Sequence, residues 1–263
     1  MKTIVKLLVI LSVVLSLISC KKDTPVSDAT LKVSITDAPS DLSNVKEVWI
    51  NFDTVSVSTS SSDTGWVNLS ADGGTVNLLA LTNAALQDLG VASLTPGHYA
   101  QIRFAVNSSW VILNDNSRQD ATLNSNTVKL TKAFDLTEGI TTELIVDFNV
   151  AHSLTVTNGV YRMTPVTRIV QKNTTGALSG KIAVPDASTP KIVVSAFKDG
   201  ETTAVTATVA QSDGTFLLGY LEPGVYDIKI EADTYQAYDI ADKTVTAGQT
   251  LDITGTAGVT LTQ

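Results

Sequence analysis

Asp37, Glu143 and Asp147 are the acids to inspect for hydrolytic chemistry, because glycoside cleavage asks for little more than two carboxylates about 5 to 9.5 Å apart. Each also has a plainer use. Asp37 precedes Ala-Pro at a strand end, where its side chain suits an Asx turn. Asp147 lies in an alternating strand, where a solvent-facing position or a bond to Arg168 is expected. A zinc site needs three or four imidazole or thiolate ligands, and the chain offers His98, His152 and Cys20 alone. A serine nucleophile on a sharp elbow needs Gly-x-Ser-x-Gly, which does not occur. The loop Asn114-Asp115-Asn116-Ser117-Arg118-Gln119-Asp120 has oxygens in calcium-like order, but Arg118 occupies the fifth position and no glycine follows, so a solvated hairpin loop is expected. Trp49, Trp66 and Trp110 are expected to pack structurally, and Trp66, which follows Asp63-Thr64-Gly65 at a loop edge, is the one whose position also suits stacking on a ligand. No residue set amounts to a catalytic, cofactor or metal centre. Trp66, Asp37 and Asp147 are the residues to follow as ligand candidates.

The single cysteine closes a leader. Lys2 and Lys6 precede an apolar run from residue 7 to 18, interrupted by Ser12 and Ser16, which reads as a signal peptide. The run falls short of the roughly 20 residues a membrane-crossing helix needs. Leu17-Ile18-Ser19-Cys20 resembles the bacterial lipobox. The resemblance implies cleavage after residue 19 and acylation of Cys20 with diacylglycerol and a further chain such as palmitate. Several acyl chains anchor durably, at about 0.8 kcal/mol per buried methylene. In the Gram-negative pattern an aspartate directly after the cysteine favours inner-membrane retention; Lys21 stands there, so the resemblance implies outer-membrane delivery, facing the periplasm or displayed at the surface, and Cys20-Lys21-Lys22-Asp23 is similar to Bacteroidetes leaders.

Removing residues 1–19 leaves 16 basic and 26 acidic residues, a net charge of about −10. Such a surface repels nucleic acid, and the cations are dispersed singly. Hydrophobic residues make up 43% of the chain, enough for a packed core, and 244 mature residues suggest two domains. Abundant Thr, Ser, Val, Asn and Asp favour strands and turns over helices.

Residues 20–27 read as a lipidated tether. Alternation at Leu31, Val33 and Ile35 and at Val48, Ile50 and Phe52 marks two strands, with a phase shift near Asp53-Thr54 that predicts a bulge. Further strands are expected at 76–79, 101–106, 110–113, 128–130, 144–148 and 161–169, the last carrying Pro165 at an edge or a strand end. Residues 83–90 predict the one short helix, with Asn83 as N-cap and Gly90 as stop. The first domain then spans 28–172 and Asn173-Thr174-Thr175-Gly176 forms a hinge. About seven short strands across 176–263 point to a β-sandwich. The fold class is therefore mainly β, two sandwich-like domains with at most one short helix. Leu94-Thr95-Pro96-Gly97-His98-Tyr99 and Leu221-Glu222-Pro223-Gly224-Val225-Tyr226 repeat one pattern, which fits a type II turn launching a tyrosine into a strand.

Two families are recognisable on these residues. Ser212-Asp213-Gly214-Thr215-Phe216, the Pro223-Gly224 unit and Tyr235 with Tyr238 resemble the carboxypeptidase regulatory-like, or transthyretin-like, sandwich, an accessory module of surface proteins. Ile35-Thr36-Asp37-Ala38-Pro39, Val76-Asn77-Leu78-Leu79, Leu94 to Arg103, Val146-Asp147-Phe148-Asn149 and Pro165-Val166-Thr167-Arg168-Ile169 resemble the DUF4382 lipoprotein domains. That family more often shows Asp-Phe-Asp where Asn149 stands here, which weakens a paired-carboxylate metal site. The resemblances imply fold and location but no reaction. The expectation is a noncatalytic, lipid-anchored binding or adhesion component with no cofactor and a glycan or protein ligand. The alternatives are a structural spacer or oligomer-forming subunit and a carboxylate glycosidase.

Overall fold

The computed structural model describes residues 27–37, 42, 44–69, 73–125, 127–130, 132–183 and 190–263. The leader, Cys20 and nearly all of the tether lie outside the described residues. In chain order the first unit contains β1 (Ala29–Asp37), β2 (Val45–Ser58), β3 (Val67–Asn68), β4 (Gly74–Asn77), β5 (Gln87–Leu94), β6 (Gly97–Tyr99) and β7 (Gln101–Leu113). It continues with β8 (Arg118–Leu123), β9 (Thr127–Leu130), β10 (Phe134–Leu136), β11 (Thr141–Phe148), helix α1 (Val150–Ser153), β12 (Leu154–Thr157), β13 (Val160–Met163) and β14 (Thr167–Gln171). The second unit holds β15 (Gly176–Ala183), β16 (Ile192–Lys198), β17 (Ala204–Val209), β18 (Thr215–Leu221), β19 (Gly224–Ala232), β20 (Tyr238–Val245), β21 (Thr250–Asp252) and β22 (Val259–Thr260). The protein is mainly β, with several sheets.

In the first unit a four-stranded sheet, ordered β14-β11-β1-β5, faces a larger sheet built around β12-β13-β8-β7-β2-β3. Leu31, Val33 and Ile35 of β1 and Leu144, Val146 and Phe148 of β11 meet Ile50, Phe52, Ile102 and Phe104 in one hydrophobic cluster, which period-2 alternation predicts. The register between β2 and β7 slips between Phe52 and Val55, so the expected bulge is there. The second unit has its own core around Leu178, Val194, Phe216, Tyr226 and Ile230, enclosed by sheets ordered β18-β15-β21 and β17-β16-β19-β20.

Three local expectations need correction. Residues 83–90 are not helical: Asn83 and Ala84 both have positive φ, at 54° and 60°, and Gln87 to Gly90 begin β5. Apolar spacing over eight residues was too short to separate a helix from a turn entering a strand. The short helix is instead α1, capped by the Asn149 side chain, which accepts from the His152 amide. Pro165 divides the expected 161–169 strand into β13 and β14, since it has no amide proton for the ladder. Gly97 and Gly224 take φ of +146° and +158°, more extended than a type II turn, and each opens its strand. The repeated motif is nonetheless closed identically: the Tyr99 hydroxyl donates to Thr95 O at 3.0 Å and the Tyr226 hydroxyl to Glu222 O at 2.8 Å.

Candidate functional site

The four-stranded sheet of the first unit is buried on one face throughout and on the other around Ser34, Thr36, Ile145 and Val170, while β5 leaves Val91 exposed there; this second face organises the region of interest. Ile145 (0% exposed) and Val170 (2%) point away from the first core, on the side that carries Thr36, Asp147 and Arg168. Thr36 stays within the first unit, its hydroxyl donating to Ala85 O at 2.8 Å, whereas Asp147 and Arg168 also find partners in the second unit. Arg168 Nη1 donates to Tyr220 O at 3.0 Å, its Nη2 lies 2.6 Å from Asp147 Oδ2, and the Thr206 hydroxyl bonds the same carboxylate. Burial pushes the Asp147 carboxyl above the usual carboxylate range, while Arg168 and Thr206 pull it down; burial prevails. Asp147 Oδ1 and Arg168 Nε have no well-aligned hydrogen-bond partner among the described residues, so the pair is held by charge more than by geometry.

The turn at Asn83-Ala84 completes this junction. Asn83 N donates to Thr208 Oγ1 at 2.9 Å and its Nδ2 to Val209 O at 3.0 Å, both on β17. Its Oδ1 accepts from Leu217 N of β18 at 2.9 Å. One side chain thus bridges edge strands of the two sheets of the sandwich, filling the seam between them. The Tyr220 hydroxyl donates to Ala84 O at 2.9 Å, and a Cβ on Gly219 would stand 2.5 Å from that of Ala84. Asn83, Ala84 and Tyr220 (φ 56°) are three of the seven non-glycine residues with positive φ among the described residues. Backbone strain of this kind costs about 1–3 kcal/mol per residue, so its concentration at one contact marks a junction that the surroundings enforce.

Beside the junction lies a groove of about 500 Å³. The first unit contributes Asn149, Ala151 and His152 from α1 and its cap. The second contributes the outer surface of β16, β17 and the end of β19, with Ser195, Ala207, Glu231 and Tyr235 among the lining. The Tyr235 hydroxyl is buried without a hydrogen-bond partner.

The sequence-derived candidates do not meet in one place. Asp37 pairs in register with Phe148, and Asp147 with Thr36, so the two acids point to opposite faces of one sheet. Asp37 is buried and its Oδ1 accepts from Val150 N at 3.2 Å, holding the first turn of α1. The Arg168 bond expected of Asp147 is present, whereas the solvent-facing alternative is overturned by its 3% exposure. Glu143 shares a face with Asp147 but stands four strand residues away, about 13 Å at the rise of a strand, and pairs with Lys172 at 2.6 Å. These three acids therefore do not form a glycosidase pair. Trp66 is half-buried, donates to Asp63 at 2.8 Å and carries Arg103 over its ring at 4.1 Å. His98 bonds Asp135 and His152 bonds Asn149, remote from one another in the sheet order. Asp115 closes an Asx turn by accepting from Ser117 N and Oγ, the solvated hairpin loop expected there. Among the described residues no three His, Cys, Asp or Glu side chains gather as a metal site would require.

Sequence reasoning missed the junction. The signal for it was the unbroken run Leu144-Ile145-Val146, which departs from alternation as strands covered on both faces do.

With this geometry in hand, comparison with known proteins identifies the first unit. The model of a domain of unknown function, DUF4382, matches residues 28–165, more than half of the chain, and the chain belongs to that family. No match was found among curated proteins. Among solved structures, a cohesin–X-dockerin complex from Acetivibrio cellulolyticus is 23% identical over 33% of this chain and 56% of its own, with a TM-score of 0.26. The minor pilin GBS52 of Streptococcus agalactiae is 12% identical over 88% and 94%, at 0.24, and the shaft pilin SpaA of Lactobacillus rhamnosus GG 12% over 90% and 99%, at 0.23. At such scores these neighbours bear on neither mechanism nor partner.

Proposed function

We propose that this chain is a noncatalytic binding component of a bacterial cell envelope, anchored at the outer membrane through acyl chains on Cys20, with the interdomain groove as its ligand seat. The groove carries the reading. Its volume falls in the range of about 300–1,000 Å³ typical of ligand pockets, and such pockets favour domain interfaces. The junction supports it further, because the walls come from two units and keep their spacing only while Asn83 and Arg168 hold those units together. The acids that suggested hydrolysis serve instead as a helix-start acceptor and as ion-pair partners.

The anchoring half of the proposal is tested by protease treatment of intact and lysed cells carrying the parent chain or a Cys20→Ala form. Membrane association of the parent and its loss in the variant are expected, and equal partitioning of the two would refute the anchor. Cleavage on intact cells would mean surface display. Protection until lysis would place the groove in the periplasm, where adhesion to another cell is ruled out. The alternative of a rigid spacer rests on the same junction, and it predicts that filling the groove with Ala207→Trp leaves function in cells unchanged.

A further inference from the structure

The lining of the groove has a composition that selects among ligand classes. Its apolar part is made of small side chains, Ala151, Ala204, Ala207, Ala232 and Ala237 with Val193. Protein and peptide partners draw most of their affinity from bulky anchors seated in well-packed pockets. Here an anchoring Leu, Phe or Trp side chain would meet mostly alanines. The polar groups are, by contrast, mixed: the Asn149 amide, the Ser195 hydroxyl, and the charges of Lys191, Asp233 and Glu231, the last paired with Lys229 at 2.6 Å. They include donors and acceptors, and Tyr235 adds an aromatic ring.

Two details sharpen the reading. Asn149 uses its Oδ1 for the His152 amide and ring, while its Nδ2 has no partner among the described residues. The Tyr235 ring lines the groove from one side and packs on the second core on the other, with its hydroxyl buried. The lining also carries more acid than base, in a chain whose formal charge is −8, so an anionic polymer would be repelled.

Resting on the binding function assigned above, we propose that the groove takes a short segment of neutral oligosaccharide. A sugar presents C–H faces that lie against small apolar side chains and the Tyr235 ring, and a rim of hydroxyls that both donate and accept. The small floor lets the ring approach the sheet closely, and the mixed walls satisfy the rim. Uncharged sugars fit; sulfated and uronic chains do not.

The test uses residues 21–263 with neutral hexasaccharides of β-1,4-glucose, α-1,4-glucose, β-1,3-glucose, β-1,4-mannose and β-1,4-xylose, a hexagalacturonate control, and a fragment and peptide library, all read by amide NMR shifts. At least one neutral hexasaccharide is expected to shift groove resonances saturably, with hexagalacturonate at least about tenfold weaker. Ala207→Trp, which fills the floor, should abolish the shifts, and Ser195→Ala should weaken binding about two- to tenfold. Unchanged far-UV circular dichroism and thermal unfolding check that each variant folds. If no neutral saccharide binds, or Ala207→Trp leaves its binding intact, the saccharide assignment falls. If library members bind in the groove and saccharides do not, that assignment falls while the binding function stands. If nothing binds there, both fall.

Discussion

Replacing Asn83 by alanine should open the junction, and the size of the effect follows from its bonds. The substitution removes the donor to Val209 O and the acceptor for Leu217 N, while the backbone bond to Thr208 can remain. Both lost bonds are partly exposed, so water recovers some of the loss, and about 1 kcal/mol each is a fair figure. Alanine must also hold φ 54°, a left-handed conformation that costs alanine more than asparagine, for about 1 kcal/mol more. The total is about 3 kcal/mol, equivalent to a fall of about 6–12 °C in Tm for a chain of this size unfolding as one unit. Differential scanning calorimetry reads it directly. Asn83→Gly keeps the backbone conformation and should recover about 1 kcal/mol of the loss. Asn158, at φ 51° before Gly159, supplies the control: its alanine variant should lose only the backbone part, about 1 kcal/mol. If the calorimetric peak splits in two for Asn83→Ala, the units have separated, which the clasp also predicts. A loss below about 1 kcal/mol with a single peak, or one equal to that of Asn158→Ala, would show that these bonds do not hold the junction.

Gly219→Ala should lower stability by about 1–3 kcal/mol because its Cβ would collide with that of Ala84, and the double variant with Ala84→Gly should restore most of it, as a two-site thermal cycle would show. Arg168→Met leaves the Asp147 carboxylate buried without its cation and should destabilise by about 3 kcal/mol near neutral pH, the low end for a broken buried pair because Arg168 is 25% exposed. The pH dependence carries a definite sign. A carboxyl whose pKa is raised in the fold is favoured while protonated, so its contribution to stability is lost as pH rises from the unfolded value, about 3.8, through the folded one. Arg168→Met should carry that loss to higher pH than in the parent in urea titrations at stepped pH, because Arg168 holds the carboxyl down, and Asp147→Asn should flatten it; parallel curves for all three would contradict the assignment. Trp66→Ala removes a surface cation–π contact and should cost at most about 1 kcal/mol, leaving groove binding unaltered by NMR titration.

What the sequence made legible was whatever depends on one strand and its period. Leu31, Val33 and Ile35 declared their face, Pro165 its interruption, and Phe52 to Val55 its slip, because each follows from backbone pleating or a missing amide. Asn83 was misread for the same reason. As an isolated residue before Ala-Ala-Leu it has the chemistry of a helix cap, and only the distant β17 and β18 give its amide a better use. The groove was illegible because its wall residues lie more than 35 positions apart in the chain, at 149–152 and 191–237, and alanines carry no signal until they share a surface. Asp147 was half legible: Arg168 is its register partner on β14, but its depth is set by the unit that covers them.

The contact between Arg168, Asp147 and the second unit also sets a schedule. During synthesis the first unit is complete once β14 has emerged, yet Asp147 and Arg168 lack Thr206 and Tyr220 until those residues, about 35 to 50 positions later, are made and docked. For that interval the ion pair is half-satisfied and meets solvent. A chain truncated after β14 would be held there, without the partners that complete the pair. The second unit therefore shelters this part of the first, and losing it by early termination or clipping near residues 172–175 would undo that shelter.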